Sequence, residues 1–235
     1  MDLRIVHILF ILVAFAQPVS ADDAPTPPIV FPIIPSKASD ASGFVPVGWK
    51  IDLQRSGDLN MDGKPDLLLV LIGDDPAKVI AGNAGAQDYA NTNPRMLAIA
   101  FANKSSDGFD LALQNHTLIP QTTERVFDDP LVKDKTLIKN GNVTFAFYAF
   151  FGSIIQPALQ FRYQHKRFEL IGFENSNTDR SSGTITGTSI NYLNHKMIVT
   201  SGNIETDVDT SKTRTIRPAP LLELGKIGNG LEFEG

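Results

Sequence analysis

The chain contains no cysteine and carries no excess of basic residues. The absence of cysteine excludes disulfide bonds and lipoprotein attachment, so an exported form would depend on its core or on a bound ion for stability. With 26 acidic and 21 basic residues, the formal charge is −5 at pH 7. Sequence-independent nucleic-acid binding needs a basic surface that displaces counterions, so we expect no nucleic-acid partner.

The sequence also lacks the motifs of common hydrolases. It has no Gly-x-Ser-x-Gly nucleophile elbow and no His-Glu-x-x-His zinc helix. Ser153 has no recognisable base beside it in the sequence and is expected in a turn. The acidic pair Asp128-Asp129 is a candidate second ion site or general base, but we favour a solvated turn. We therefore assign no catalytic residue.

The amino-terminal segment has the pattern of an export signal. Arg4 precedes an apolar run of 12 residues at positions 5–16, and Val19-Ser20-Ala21 fits a small-x-small cleavage site. The run is too short for a spanning helix, which takes roughly 20 apolar residues. We expect residues 1–21 to be a signal peptide and the mature chain to be periplasmic or secreted, with no membrane span. A retained amino-terminal anchor is the alternative.

Residues 22–42 have the composition of a linker. Five prolines between Pro25 and Pro35 favour an extended, polyproline-like path. The apolar residues in the same stretch do not suit a free solvated tether; they are Ile29, Val30, Phe31, Ile33 and Ile34. We expect them to lie along the surface of the domain rather than to recognise a partner. Residues 43–235 are then expected to form one domain.

From Gly43 onward the hydrophobic periodicity is that of strands. Residues 143–151 are apolar on both alternating faces, which predicts a strand covered on two sides. Residues 159–164 alternate between apolar and polar, as in a half-buried strand, and the chain then turns at His165-Lys166-Arg167. A second hairpin is predicted around a primed turn at Asn194-His195. Residues 74–93 are predicted to be an insertion loop with at most one helical turn.

Residues 57–67 carry the strongest functional signal in the sequence. Oxygen-bearing side chains occupy positions 1, 3, 5 and 9 of a loop that has Gly63 at position 6. Ca²⁺ takes six to eight oxygen ligands, and a backbone carbonyl would supply position 7. The predicted calcium ligands are Asp58, Asn60, Asp62, Lys64 (through its carbonyl) and Asp66. An Asp/Asn-rich turn without metal is the alternative, because these side chains also bond their own backbone.

The loop differs from an EF-hand in two respects. Position 12, where an EF-hand places a bidentate Glu, is Leu69, and Pro65 rules against a helix that begins inside the loop. Residues 68–72 form an apolar run that predicts a buried strand. The loop is therefore expected to join one strand to another.

In this arrangement the segment resembles the calcium-loop blade motif of FG-GAP and VCBS repeats, best known from integrin α-chain propellers. Their pattern is Asp-x-Asp/Asn-x-Asp-Gly-x-x-Asp-Leu. It is matched here by Asp58, Asn60, Asp62, Gly63, Asp66 and Leu67. The resemblance extends to about Asn115, because residues 95–101 and 109–113 flank an Asp107-Gly108 turn like the hairpin that closes such a blade.

The length does not allow a full propeller, which needs at least four blades, and the metal motif occurs once rather than as a repeat. We predict an all-β fold, a single domain of antiparallel hairpins arranged as two packed sheets or as a partial propeller-like array. The chain also resembles a group of uncharacterised bacterial exported proteins with one such motif near the start. That resemblance implies no activity.

Three functions remain open from the sequence. The first is an exported calcium-binding module with a structural ion and a protein or envelope glycan as partner. The second is a periplasmic inhibitor or immunity protein that blocks a toxin enzyme, whose gene would lie beside the toxin gene. The third is a hydrolase with an acidic site near the calcium, which would need a second carboxylate cluster in a deep cleft.

Overall fold

The computed structural model describes residues 29–81, 89–103, 107–122, 128–150, 152–206 and 209–235. Regular structure in these ranges consists of antiparallel strands and short 3-10 turns, so the predicted all-β class is confirmed. Residues Phe31–Gly235 form one compact unit. The expected signal peptide lies outside the described residues.

Fifteen strands and four 3-10 turns lie in the described residues. The strands are β1 (Lys37–Ala38), β2 (Trp49–Gly57), β3 (Asp66–Gly73), β4 (Val79–Ala81), β5 (Tyr89–Asn91), β6 (Arg95–Ala102), β7 (Phe109–Asn115), β8 (Leu137–Lys139), β9 (Asn142–Ala146), β10 (Ala149–Phe150), β11 (Ser153–Gln164), β12 (Arg167–Asp179), β13 (Thr184–Asn191), β14 (Lys196–Asn203) and β15 (Thr210–Thr215). The 3-10 turns are Ala41–Phe44, Pro76–Lys78, Lys133–Lys135 and Leu224–Lys226. The strands form a five-stranded sheet, an eight-stranded sheet and the small β4–β5 hairpin.

The first sheet has the strand order β1-β7-β6-β3-β2, and β3 is buried along its whole length. Successive side chains of a strand point to opposite faces, so β3 contributes to two cores. Leu68 and Val70 pack in the core that the second sheet shares, whereas Leu69 and Leu71 pack in a smaller core on the other face. The predicted buried strand at residues 68–72 is confirmed.

The Pro-rich segment closes the smaller core. Ile34 is 2% exposed and packs there with Phe44. The Phe31 ring stacks on His116 with 4.5 Å between ring centroids, and β1 pairs with β7. Phe31 and Ile34 of the predicted linker thus pack against the first sheet as expected. Val30 and Ile33 are exposed, so the expectation does not hold for them. Residues 22–28 of that linker lie outside the described residues.

The second sheet has the order β15-β14-β13-β12-β11-β9-β8, with β10 paired to β11. It contributes Phe145, Phe161 and Phe173 to the larger core, where each is no more than 1% exposed. At the far edge every residue of β15 is exposed. Lys212 and Arg214 lie on this exposed edge strand. Charged side chains at the edge of a sheet oppose pairing with another chain.

The two sheets meet where β2 lies beside β8. The Arg55 guanidinium on β2 bridges them through two backbone carbonyls. Its Nε donates to the oxygen of Thr136 at 2.9 Å, and its Nη2 donates to the oxygen of Lys133 at 2.8 Å. Both acceptors lie in the segment that leads into β8. Arg55 therefore contributes two hydrogen bonds to the seam between the sheets.

A buried ionic cluster strengthens the same seam. Arg95 is 4% exposed, and its two terminal nitrogens donate to the two carboxylate oxygens of Asp129 at 2.7 Å. Its Nη2 also lies 3.1 Å from Asp52, which Lys133 contacts at 2.5 Å. Burial raises the pKa of Asp129, but the hydrogen bonds and charge of Arg95 outweigh it and leave the pKa below its usual value. The predicted solvated turn at Asp128-Asp129 is wrong for Asp129, because its carboxylate is paired with Arg95.

Two sequence predictions about strands and loops are corrected. The strand predicted at residues 143–151 is divided between β9 and β10, with Phe151 outside the described residues. Pro157 faces the break from β11, and it has no N–H with which to continue the ladder. Residues 74–93 hold not only the 3-10 turn Pro76–Lys78 but also the hairpin of β4 and β5, with residues 82–88 not described.

The primed turn lies in a different hairpin from the one predicted. His165 and Lys166 have φ values of 52° and 61° and form the two-residue connection between β11 and β12. Residues 192–195 connect β13 to β14 as a longer turn, in which His195 alone has a positive φ. Its geometry follows from Asn191, whose side-chain oxygen accepts from the N–H groups of Leu193 and Asn194.

Candidate functional site

The predicted calcium loop connects two strands of the first sheet. Strand β2 continues to Gly57, and β3 begins at Asp66. Gly57 and Asp66 are paired across the ladder, so residues 58–65 form the connection of a hairpin. The strand-to-strand placement expected from Pro65 and the following apolar run is confirmed.

Asp66 anchors this loop from inside the protein. Its side chain is fully buried, and Oδ2 accepts from the N–H groups of Leu59 at 2.8 Å and Asn60 at 3.2 Å. Its Oδ1 accepts from the N–H of Ala102 at the end of β6 at 2.9 Å. Burial raises the pKa of Asp66 against the opposing effect of these hydrogen bonds, and the nearby charge of Asp62 adds to the increase.

The other predicted ligands form the rest of the loop. Asp58 accepts from the N–H of Asp62 through Oδ1 at 3.1 Å and from the N–H of Gly63 through Oδ2 at 2.8 Å. The Asn60 side chain accepts from Asp62 N–H and donates to Asp62 Oδ2. Asp62 Oδ1 accepts from Lys64 N–H at 3.0 Å. The loop is therefore wound around its own carboxylates, with Gly63 at a φ of 88°.

The donor set of the loop fits calcium, which prefers carboxylate, amide and carbonyl oxygens. A carboxylate offers about four lone pairs. Asp58 uses two of them on backbone N–H groups, whereas Asp66 uses three. Among the described residues, no three His, Cys, Asp or Glu side chains are grouped so as to hold a metal ion. Calcium binding would thus require the side chains of Asp58, Asn60 and Asp62 to turn toward a common centre.

The loop lies at the junction of the two sheets. Leu59 is fully buried and belongs to the larger core. A Cβ on Gly141, in the turn between β8 and β9, would lie 2.6 Å from the sulfur of Met61. A Cβ on Gly57 would lie 2.6 Å from a methyl carbon of Ile138 in β8. The loop therefore packs against the second sheet, and its conformation affects the junction of the two sheets.

Two cavities lie on opposite faces of the second sheet. One has a volume of about 780 Å³ and is lined in part by Glu174 and Ser176. The other has a volume of about 800 Å³ and is lined in part by Asn175 and Asn177. Glu174 and Ser176 alternate with Asn175 and Asn177 along β12, so the two pairs of side chains face different sides of the strand. Asn175 borders both cavities. Both volumes lie in the range of small-molecule sites.

Of the groups that line these cavities, the sequence pointed to Asp128 and Asp129, which border the cavity of about 780 Å³. It did not point to the amides of β12 or to the buried charge of Glu169. Glu169, 2% exposed, accepts from Gln164 and from Arg167, both at 2.6 Å, beside the β11–β12 turn. Burial raises the pKa of Glu169, but these bonds and His165 hold the pKa below its usual value. The signal in the sequence was a charged residue inside an otherwise apolar strand, at Glu169-Leu170-Ile171.

No protein-family model, curated protein or solved structure matches this chain. In the part of the chain that the structure describes, no helix is long and apolar enough to cross a bilayer.

Proposed function

We propose that this chain is an exported, calcium-stabilised β domain that acts as a binding module, with a protein or an envelope glycan as its partner. The position of the 58–66 loop carries this proposal. The loop is anchored by Asp66 to β6, buries Leu59 in the larger core and packs Met61 against the second sheet. An ion held there would stabilise the junction of the two sheets.

Charge supports a structural role for the ion. Three carboxylates fall within nine residues of the loop. Burial raises the pKa of Asp66, and the charge of Asp62 adds a smaller increase. A divalent cation would cancel this repulsion and fix the strand-to-strand connection. The ligands are local in sequence, so a bound ion would be saturated by the loop, with the Lys64 carbonyl and water completing its shell. A catalytic ion would instead need an open position that faces a cleft.

The export pattern and the loop support each other. Residues 58–67 resemble the calcium-binding loops of FG-GAP and VCBS repeats. Calcium is more available outside the cytosol, where an exported chain would fold. A chain without cysteine gains no stability from disulfides in that compartment. A calcium-stabilised sheet junction would supply what disulfides supply elsewhere. Ligand binding would take place in the cavities on the second sheet, so the loop would have a structural role only.

Isothermal titration calorimetry with calcium and residues 22–235 tests the proposal. We expect one calcium per chain, and we expect Asp62→Asn to weaken binding at least tenfold, because it removes an anionic ligand at nearly constant shape. Asp209→Asn is the matched control, since Asp209 is an exposed aspartate outside the loop. It should bind calcium as the unsubstituted chain does.

Two results would contradict the proposal. The first is the absence of calcium binding to the folded chain. The second is calcium binding that Asp62→Asn and Asp209→Asn affect equally, which would place the ion outside the loop.

A further inference from the structure

The larger core ends in a cavity whose floor is built from amides. Phe173, Asn175 and Asn177 are alternate residues of β12 and therefore lie on one face of the second sheet. Phe173 is buried in the core, whereas Asn175 and Asn177 line the cavity of about 800 Å³. The core-facing side of this strand thus changes from aromatic to amide over two residues.

Both amides have a buried acceptor that the protein leaves unused. The Oδ1 atoms of Asn175 and Asn177 are shielded from solvent and accept no hydrogen bond. Most buried polar atoms in folded proteins are paired, so two unpaired acceptors side by side on one strand need a physical reason. A molecule in the cavity that donates hydrogen bonds supplies one, once the two side chains turn their oxygens toward it.

The walls of the cavity add apolar and acidic groups to this floor. Tyr148, Ile155 and Phe233 contribute aromatic and aliphatic surface. Glu232 and Glu234 are exposed and contribute two further acceptors. The described lining contains no lysine or arginine. A ligand for this site therefore has hydrogen-bond donors on one side, an apolar side and no negative charge.

We propose that this cavity binds an uncharged saccharide. A sugar hydroxyl both donates and accepts, so it pairs with an amide in either orientation. The C–H faces of a sugar ring suit the aromatic walls. The inference rests on the proposed function as a binding module and names the ligand class, an envelope or extracellular glycan, over a protein.

Other ligand classes fit the same surface less well. An anion would meet Glu232 and Glu234 with no lysine or arginine in the described lining, in which His116 is the one imidazole. A lipid would leave the two amide oxygens unpaired. An extended peptide binds best by adding to the edge of a sheet, and β12 is an interior strand between β11 and β13.

Calorimetric titration of cellobiose, maltotriose, mannobiose and N,N′-diacetylchitobiose into residues 22–235, with calcium present, tests the inference. We expect at least one of these sugars to bind, and Asn175→Ala and Asn177→Ala each to weaken that binding at least tenfold. Ser176→Ala is the matched control, because Ser176 lies between the two amides but lines the opposite cavity. Its affinity for the sugar should be unchanged.

Thermal unfolding separates a ligand-binding role from a structural one. Without sugar, Asn177→Ala should leave the melting temperature unchanged or raise it, because it removes an unpaired buried acceptor. A lower melting temperature for this variant would show a structural amide and overturn the inference. Binding of none of the four sugars, or equal loss in Ser176→Ala, would overturn it too.

The two proposals fail in distinguishable ways. Sugar binding that persists in chelator, in a chain that binds no calcium, would contradict the calcium-stabilised module and leave the saccharide site standing. A calcium-dependent melting temperature with no sugar binding would contradict the saccharide site alone.

Discussion

At the scale of single residues, Asp66 determines the shape of the β2–β3 loop with or without an ion. Asp66→Ala would leave three N–H groups, those of Leu59, Asn60 and Ala102, without their acceptor. Leaving buried donors unpaired costs about 1–3 kcal/mol each when no water reaches them. We expect the free energy of unfolding to fall by about 3 kcal/mol, measured by urea denaturation in calcium and in chelator.

Asp62→Ala provides the comparison within the same loop. Asp62 accepts from the exposed N–H of Lys64 and from the side-chain amide of Asn60. Its charge adds a small increase to the pKa of Asp66, which burial raises most. Its removal should change stability by about 0.5 kcal/mol or less in chelator, since water can replace an exposed bond. In calcium it should lower stability clearly. If Asp66→Ala were harmless in chelator, the anchoring role of Asp66 would be wrong.

At the scale of elements, the β11–β12 hairpin depends on a strained two-residue turn. Lys166 has a φ of 61°, a region in which a β-branched side chain is a conformational outlier. Lys166→Val should therefore lower the free energy of unfolding by about 1–2 kcal/mol. Lys196→Val is the control, because Lys196 is an exposed lysine at the start of β14, where valine is favoured. Chemical denaturation of both variants checks the difference, and equal losses would contradict it.

The strands were predictable where the sequence reports local burial, as in the continuous apolar run of β3. Their interruptions were not, because they depend on the partner strand. Pro157 on β11 ends the ladder of β9, and nothing within residues 143–151 indicates this. The primed turn was misplaced for the same reason. Because Gln164 pairs with Arg167, His165 and Lys166 must connect β11 to β12, although neither residue favours a positive φ.

The residues of the candidate site also differ in whether the sequence could indicate them. The five predicted calcium ligands were visible in the sequence because they are adjacent along one loop. The pairing of Arg95 with Asp129 joins residues 34 positions apart, and no local pattern indicates it. Asn175 and Asn177 are ordinary polar residues in the sequence. They become notable once β12 is seen to carry them past the edge of the core.

At the scale of the whole molecule, the seam between the sheets depends on Arg95. Arg95→Met would leave the carboxylates of Asp52 and Asp129 without their buried partner. Breaking a buried ion pair costs about 3–5 kcal/mol, and the part-exposed Asp129 places this one near the lower value. Lys37→Met is the control, because it removes an exposed pair with Asp110 and should change stability by less than about 1 kcal/mol. Urea denaturation of both variants would contradict this account if the losses were equal.

The same pair predicts a pH dependence. The pKa of Asp129 is lower in the folded chain than its usual value of 3.8, so the folded chain binds this proton less tightly than the unfolded chain. Its contribution to stability is therefore complete above about pH 4 and lost as the pH falls through the lowered pKa. The stability difference from Asp129→Asn should shrink in that acid range. A constant difference between pH 7 and pH 2 would contradict the pairing with Arg95.

The melting temperature of residues 22–235 in calcium and in chelator tests the central claim, a sheet junction stabilised by calcium, most directly. An ion that binds only the folded chain stabilises it by mass action. The melting temperature should therefore rise steadily with free calcium, and Asp62→Asn should abolish most of the rise. A melting temperature that is the same in chelator and at every calcium concentration would contradict the claim.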